Sequence, residues 1–224
     1  MKLCRLASLA CGFVLQVHAT AGVVVSSDGQ WRLLADEAGR SLLLQDALGM
    51  QHARWDWPAV AALNPHPTPH QPVQLLNHPV RQSFLAMFGG TRQIYEISYN
   101  PKAEPLFDGL VHDYRLGEGL ARPGFLGLRQ IKLDAPLDDF WPDPGSPHVV
   151  GLARWASGSP EIHVINLDIR RVRTAYPVPI GTTGLTWQRS ANSSTPVLRW
   201  QADDDHLGCL SLLNWVAVAC GDAF

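Results

Sequence analysis

Residues 83–100 read SFLAMFGGTRQIYEISYN, and their pattern decides the fold class. Two runs rich in apolar, aromatic and β-branched residues flank Gly89-Gly90, a pair that tolerates the positive φ of a tight reversal. Such a unit is a β-hairpin. The same shape recurs in residues 32–46 (RLLADEAGRSLLLQD), 148–168 (HVVGLARWASGSPEIHVINLD) and 196–215 (PVLRWQADDDHLGCLSLLNW). Their turns carry Glu37-Ala38-Gly39, Ser157-Gly158-Ser159 and Asp203-Asp204-Asp205, residues that accept left-handed backbone or cap a turn with their own side chains. The hairpins recur at intervals of roughly 50–65 residues, close to the ~40–50 of a four-stranded propeller blade. They predict an all-β fold, a β-propeller-like array of about four blades, in preference to a β-sandwich with unequal loops. The array is either four-bladed or half of an eight-bladed propeller, in a monomer or a homodimer. Residues 22–26 (GVVVS) and 216–220 (VAVAC) are both strand-like, and their pairing is expected to close the array within one chain.

Composition removes several alternatives. The 224 residues are 46% hydrophobic and 17% charged, with 19 Gly and 17 Pro, which excludes a disordered chain and a coiled coil. A net charge of −2 gives no electrostatic footprint for nucleic acid. No apolar run reaches the ~18 residues of a membrane span. Lys2 and Arg5, the apolar residues 6–17 and the small residues around Ala19 and Ala21 form a secretory signal. Cleavage after Ala19 or Ala21 leaves residues 22–224 as a single domain. Cys209 and Cys220 remain after cleavage, either as a disulfide between neighbouring strands or as two buried thiols. His66 and His70 stand four apart, but the prolines of residues 64–72 (NPHPTPHQP) forbid the helix that would align them, so that stretch reads as a solvated linker. The chain has no G-x-S-x-G, HExxH, CxxC or P-loop motif.

The richest segment lies between the second and third hairpins. It contains residues 109–119, GLVHDYRLGEG, and ends in residues 133–140, LDAPLDDF. Roughly thirty residues without clear periodicity on a rigid scaffold suit a binding loop. His112 stands beside Asp113, Tyr114 and Arg115. A neighbouring carboxylate holds an imidazole in one tautomer, as a metal ligand or a general base requires. Tyr114 and Arg115 suit a planar, anionic ligand. The competing reading is a loop histidine that only holds backbone in place. Asp138 and Asp139 open the next blade, as a turn-and-cap pair or as site residues.

Residues 96–141, EISYNPKAEPLFDGLVHDYRLGEGLARPGFLGLRQIKLDAPLDDFW, resemble the haem d1-type eight-bladed propellers, the group of the d1 domain of cytochrome cd1 nitrite reductase and its haem d1 biosynthesis relatives. The biosynthesis members share the GLVHDYRxGEG and LDDF wording, and a looser likeness extends from Pro72 to about Trp215. The resemblance implies a periplasmic protein that binds or helps to mature a d1-type haem or its precursor. It also implies a tetrapyrrole ligand, other haem d1 maturation proteins as partners and, where there is catalysis, an oxidoreductase-like step on the precursor. On that basis His112 is the candidate axial iron ligand, His112 and Asp113 the candidate acid–base groups, and Tyr114, Arg115, Asp138, Asp139 and His206 further contacts to the cofactor. Two departures speak against nitrite reduction. Pro179 or Ile180 stands where the family carries a haem-facing His, and Asp138 or Asp139 stands where the nitrite reductases carry a second. The family also continues for roughly three or four blades beyond the equivalent of Trp215.

Overall fold

The computed structural model describes residues 22–36, 40–57, 73–88, 91–107, 121–153, 159–189, 196–201, 207–211, 216–218 and 220. Residues 1–21, expected to be a secretory signal, residues 64–72, expected to be a linker, and the expected turn residues 37–39, 89–90, 157–158 and 203–205 lie outside the described residues.

Four strands make each blade, consecutive in blades 1, 3 and 4. Blade 1 holds β1 (Val23–Val25), β2 (Trp31–Asp36), β3 (Ser41–Asp46) and β4 (Gln51–Asp56). Blade 2 begins with β5 (Gln74–His78), β6 (Ser83–Met87) and β7 (Gln93–Ser98). The chain then makes a small separate sheet of β8 (Leu106–Phe107) and β9 (Ala121–Arg122) before completing blade 2 with β10 (Leu128–Lys132). Blade 3 holds β11 (Leu137–Pro142), β12 (His148–Ala153), β13 (Glu161–Asn166) and β14 (Arg171–Pro177). Blade 4 holds β15 (Thr183–Arg189), β16 (Pro196–Gln201), β17 (Leu207–Ser211) and β18 (Ala217–Val218). All neighbouring strands are antiparallel. The four sequence hairpins are the second and third strands of the four blades, in the registers Leu33↔Leu44, Leu85↔Glu96, Val150↔Val164 and Leu198↔Leu210.

Strand alternation sends successive side chains to opposite faces, and each face packs on a different neighbour. Val24, Leu33, Leu42 and Leu44 of blade 1 meet Leu75, Phe84, Ala86 and Ile97 of blade 2. The other face of blade 2, with Leu76, Leu85, Met87, Ile94 and Ile131, meets Leu137, Phe140, Val149 and Ile165 of blade 3. Val150, Leu152, Ile162 and Val164 then meet Leu185, Leu198 and Leu210 of blade 4. Each fully buried large side chain contributes about 1.5–3 kcal/mol of burial free energy, so the boundaries between blades are the core. Strand β5 lies against both β1 and β11, which puts the first strand of each of these blades on the inside.

Among the described residues the expected closure between residues 22–26 and 216–220 is not formed. Among the described residues β1 pairs with β2 alone and β18 with β17 alone, because the first and last sheets are each completed locally from four consecutive strands. On the last blade, Cys209 and Cys220 are joined in a disulfide, with Cα atoms 5.3 Å apart. Among the described residues no helix is long and apolar enough to cross a membrane.

Antiparallel order divides the connections between two ends. First-to-second and third-to-fourth strand turns fall at one end, called here the turn end. Second-to-third turns and blade-to-blade crossings fall at the other.

Candidate functional site

Blade 2 departs from blades 1 and 3 at the turn end. In blade 1 the third-to-fourth turn is short and is capped by Asp46, whose Oδ1 accepts the Leu48 and Met50 amides, both at 2.9 Å. Blade 3 repeats the device with Asn166, whose Oδ1 accepts from Asp168 at 2.8 Å and Ile169 at 3.1 Å. In blade 2 the chain leaves through Asn100, whose Oδ1 accepts the Lys102 amide at 2.9 Å, and returns only where the Leu126 amide donates to the Ser98 carbonyl at 2.7 Å. Between these points the outgoing and returning legs pair as Leu106↔Arg122 and Phe107↔Ala121. Gly124 fixes how closely the legs approach: a Cβ there would lie 1.9 Å from the Glu104 carbonyl oxygen. Phe125 sets its ring edge-on against Trp31 of blade 1, with centroids 5.8 Å apart. The roots of the insertion are therefore held by backbone pairing and by two blades. His112, Asp113, Tyr114 and Arg115 lie within residues 108–120, outside the described residues, and so does His206.

Beside these roots a polar cluster crosses from blade 2 to blade 3. Glu96 points from the middle of β7 toward blade 3 and is 3% exposed. Its Oε1 accepts from Arg81 Nε at 2.7 Å and from Ser83 Oγ at 3.1 Å. Its Oε2 lies 3.4 Å from a guanidinium nitrogen of Arg129, the residue opposite it on β10. Arg81 also binds Asp168 of blade 3. Burial works against the Arg81 charge, but its hydrogen bonds and charge pairing with Glu96 and Asp168 prevail and raise its pKa. These groups open onto a cleft of about 1440 Å³ between the insertion and the turn end of blade 3, bordered also by Lys102, Arg122, Lys132 and Arg170.

A second polar group lies behind it. His78, fully buried, sets Nε2 3.2 Å from the His148 carbonyl oxygen. The His148 ring meets Ser146 Oγ at 2.8 Å and the Asn166 side-chain amide at 3.2 Å. Burial lowers the pKa of both imidazoles. Neither ring is offered to a ligand, so these histidines hold the blade boundary together.

Asp138 and Asp139 lie inside β11, at a register shift, and not in a turn. Asp139 sits opposite Leu152, at the end of the blade away from the insertion roots, so the structure does not bring this pair to the cleft. Burial raises the Asp139 carboxyl pKa. The Gln74 side chain and the Phe140 amide pull it down, and the Asp138 charge adds to the rise. Arg81, Glu96, Arg129 and Asp168 were missed in the sequence because they stand far apart along the chain. One signal was present: a glutamate in the apolar run Ile94-Tyr95-Glu96-Ile97, where a buried charge demands a partner.

No protein-family model matches the chain, and no curated protein matches it. Among solved structures it is similar to dihydro-heme d1 dehydrogenase NirN in complex with DHE, at 19% identity and a TM-score of 0.55, over 88% of this chain and 36% of that one. The fold is a β-propeller. Two further similar structures are Citrobacter koseri AztD (12% identity, TM-score 0.49, 88% of this chain and 46% of that one) and the Myceliophteria thermophila Cps50 (Swd1) β-propeller domain (13%, 0.44, 90% and 54%). The chain spans about a third of the NirN structure and about half of the other two. At these identities the likeness is one of fold.

Proposed function

We propose that this chain is a periplasmic tetrapyrrole-binding propeller that holds, or helps to mature, a d1-type haem and does not reduce nitrite. One observation carries the reading. Where blades 1 and 3 make short capped turns, blade 2 makes an anchored insertion, and that insertion contains the GLVHDYRLGEG motif. A long loop on rigid strands is where a propeller places binding chemistry. The donor set beside its roots fits the ligand: the cleft is bordered by Lys and Arg side chains, and a d1-type tetrapyrrole carries several carboxylates. When bound, such a haem supplies a redox-active iron. His112 is the proposed axial ligand, with Tyr114 against the ring plane and Arg115 on a carboxylate. Among the described residues, histidines 52, 78, 148 and 163 are engaged with Asp46, the His148 carbonyl, Ser146 and Glu161 respectively. The choice of His112 rests on the resemblance of its motif.

The test is an absorbance titration of the mature protein with a d1-type haem and with ordinary haem. The reading expects a Soret shift, tighter binding of the d1-type haem and loss of the axial signature in His112→Ala. No Soret shift sinks the binding role, and an unchanged one in His112→Ala sinks the ligand role.

A second reading rests on the free face of blade 1, where Val23 and Val25 are 49% and 45% exposed beside half-buried Leu34 and Leu43. On this reading the chain is a non-catalytic propeller module that binds protein through that face.

A further inference from the structure

We propose that the cleft at the roots of the insertion is a binding site for a ligand carrying two or more carboxylate or phosphate groups, recognised independently of any iron. The inference deepens the reading above by naming the ligand chemistry of the same region, and it rests on that reading only in taking the insertion as the binding element.

Six cationic side chains, Arg81, Lys102, Arg122, Arg129, Lys132 and Arg170, border the cleft against three carboxylates. Two of those carboxylates are already engaged. Glu96 is shared between Arg81 and Arg129, and Asp168 is bound to Arg81. Lys102, Lys132 and Arg170 have no ion-pair partner among the described residues. They come from three separate pieces of chain: the outgoing leg of the insertion, β10 and the β13–β14 turn. Solvated charges scattered on a convex surface would need no ligand. Here all three residues border one cleft that is also lined by Val80, Leu106, Phe107 and Leu128, and low-dielectric walls strengthen attraction for an anion.

Arg81 supplies a fixed reference point. Its side chain is 14% exposed and is held from both sides by Glu96 and Asp168, so a rotamer-rich side chain is ordered before any ligand arrives. The cations border a cleft of about 1440 Å³, which exceeds the ~300–1,000 Å³ usual for small-molecule sites. That size suits several anionic groups on an organic frame better than one inorganic ion.

Isothermal titration calorimetry of the full chain at low salt tests this with citrate, pyrophosphate, inorganic phosphate and acetate as probes. Citrate or pyrophosphate should bind, with affinity falling steeply as salt is added, while acetate and inorganic phosphate bind far more weakly. The citrate and pyrophosphate arms separate carboxylate from phosphate recognition. The triple variant Lys102→Gln/Lys132→Gln/Arg170→Gln should lose roughly tenfold or more in affinity, the worth of one or two charge-assisted hydrogen bonds. Its thermal midpoint should stay unchanged, and Arg173→Gln on the outer strand of blade 3 should bind like the parent. Failure of both polyanions to bind, or a triple variant that binds them normally, overturns the proposal. His112→Ala should retain polyanion binding while losing the axial haem signature, so the two readings fail separately.

Discussion

Gln74 and Phe140 exchange two hydrogen bonds across the boundary between blades 2 and 3. The Gln74 side-chain amide donates to the Phe140 carbonyl at 3.0 Å, and the Phe140 amide donates to Gln74 Oε1 at 3.3 Å. The inner edge of a blade has no further strand to pair with, so its backbone groups need partners from elsewhere. Gln74 on the inner strand β5 provides one for the inner strand β11. The Phe140 amide has a second acceptor in Asp139 Oδ1 at 2.9 Å, so it depends less on Gln74 than the carbonyl does. Gln74→Leu should therefore destabilise the domain by about 1–2 kcal/mol, mostly through that carbonyl, as read from the urea midpoint. A midpoint shift within error would show that the exchange contributes nothing to the blade boundary.

Asp139 sits beside this exchange and carries the opposite sign of effect. Burial raises its carboxyl pKa in the folded chain. A raised carboxyl pKa contributes stability below the unfolded value, near 4, and that contribution is lost as pH rises through the folded value. At neutral pH the ionised carboxylate is consequently a net cost. Asp139→Asn should melt higher than the parent at pH 7, and the two curves should converge toward pH 4. A lower melting point for the variant at pH 7 would show that the charge is used favourably, for instance by a ligand.

The buried histidines set a second pH dependence. His78 and His148 both have pKa values lowered by burial, and His78 Nδ1 has no hydrogen-bond partner among the described residues. Arg81, Glu96 and Asp143 face His78, while Asp143, Arg173 and Asp168 surround His148. For a lowered imidazole pKa the unfolded chain binds the proton first. Stability is then complete above the unfolded value, near 6.5, and declines as pH falls from there toward the folded values. Unfolding free energy should be flat from pH 8 to 7 and fall from pH 6.5 to 5. His78→Gln should flatten that acid limb. An unchanged limb in His78→Gln would assign the loss elsewhere.

The hairpins were legible because the second and third strands of the inner blades are buried on both faces. Ser83–Met87 and His148–Ala153 are buried at every position and so read as unbroken apolar runs. The outer strand Arg171–Pro177 alternates exposed and half-buried residues and carries two arginines, so its sequence shows little of its membership in a blade. The insertion was legible as a long aperiodic segment, but its position inside blade 2 was not, because Leu128–Lys132 returns to β7 only after the excursion. Ring closure failed as an expectation because apolarity marks a strand without naming its partner. Val23–Val25 looked available for residues 216–220, yet its hydrogen bonds go to β2. The cleft residues were invisible for the same reason: Arg81 meets Glu96 only once β5, β6 and β7 have formed their sheet, and Asp168 only once blade 3 has packed on it.

The Arg81–Glu96 pair gives the sharpest stability test. Their side chains are 14% and 3% exposed, so removing one charge leaves the other in low dielectric, with Asp168 left to Arg81, or Ser83 and the more distant Arg129 left to Glu96. Glu96→Gln keeps the shape and removes the charge, and should cost roughly 3 kcal/mol, as should Arg81→Met. Asp168 is 58% exposed, and Asp168→Asn should cost about 0–1 kcal/mol despite its bond to the same arginine. The double variant Glu96→Gln/Arg81→Met removes both charges together and should be clearly more stable than the sum of the single losses, a coupling of about 1–3 kcal/mol in a double-mutant cycle. Strict additivity would mean that the two groups do not act as a pair. The boundary between blades 2 and 3 would then rest on its apolar face alone, from Leu76 and Leu85 to Phe140 and Ile165.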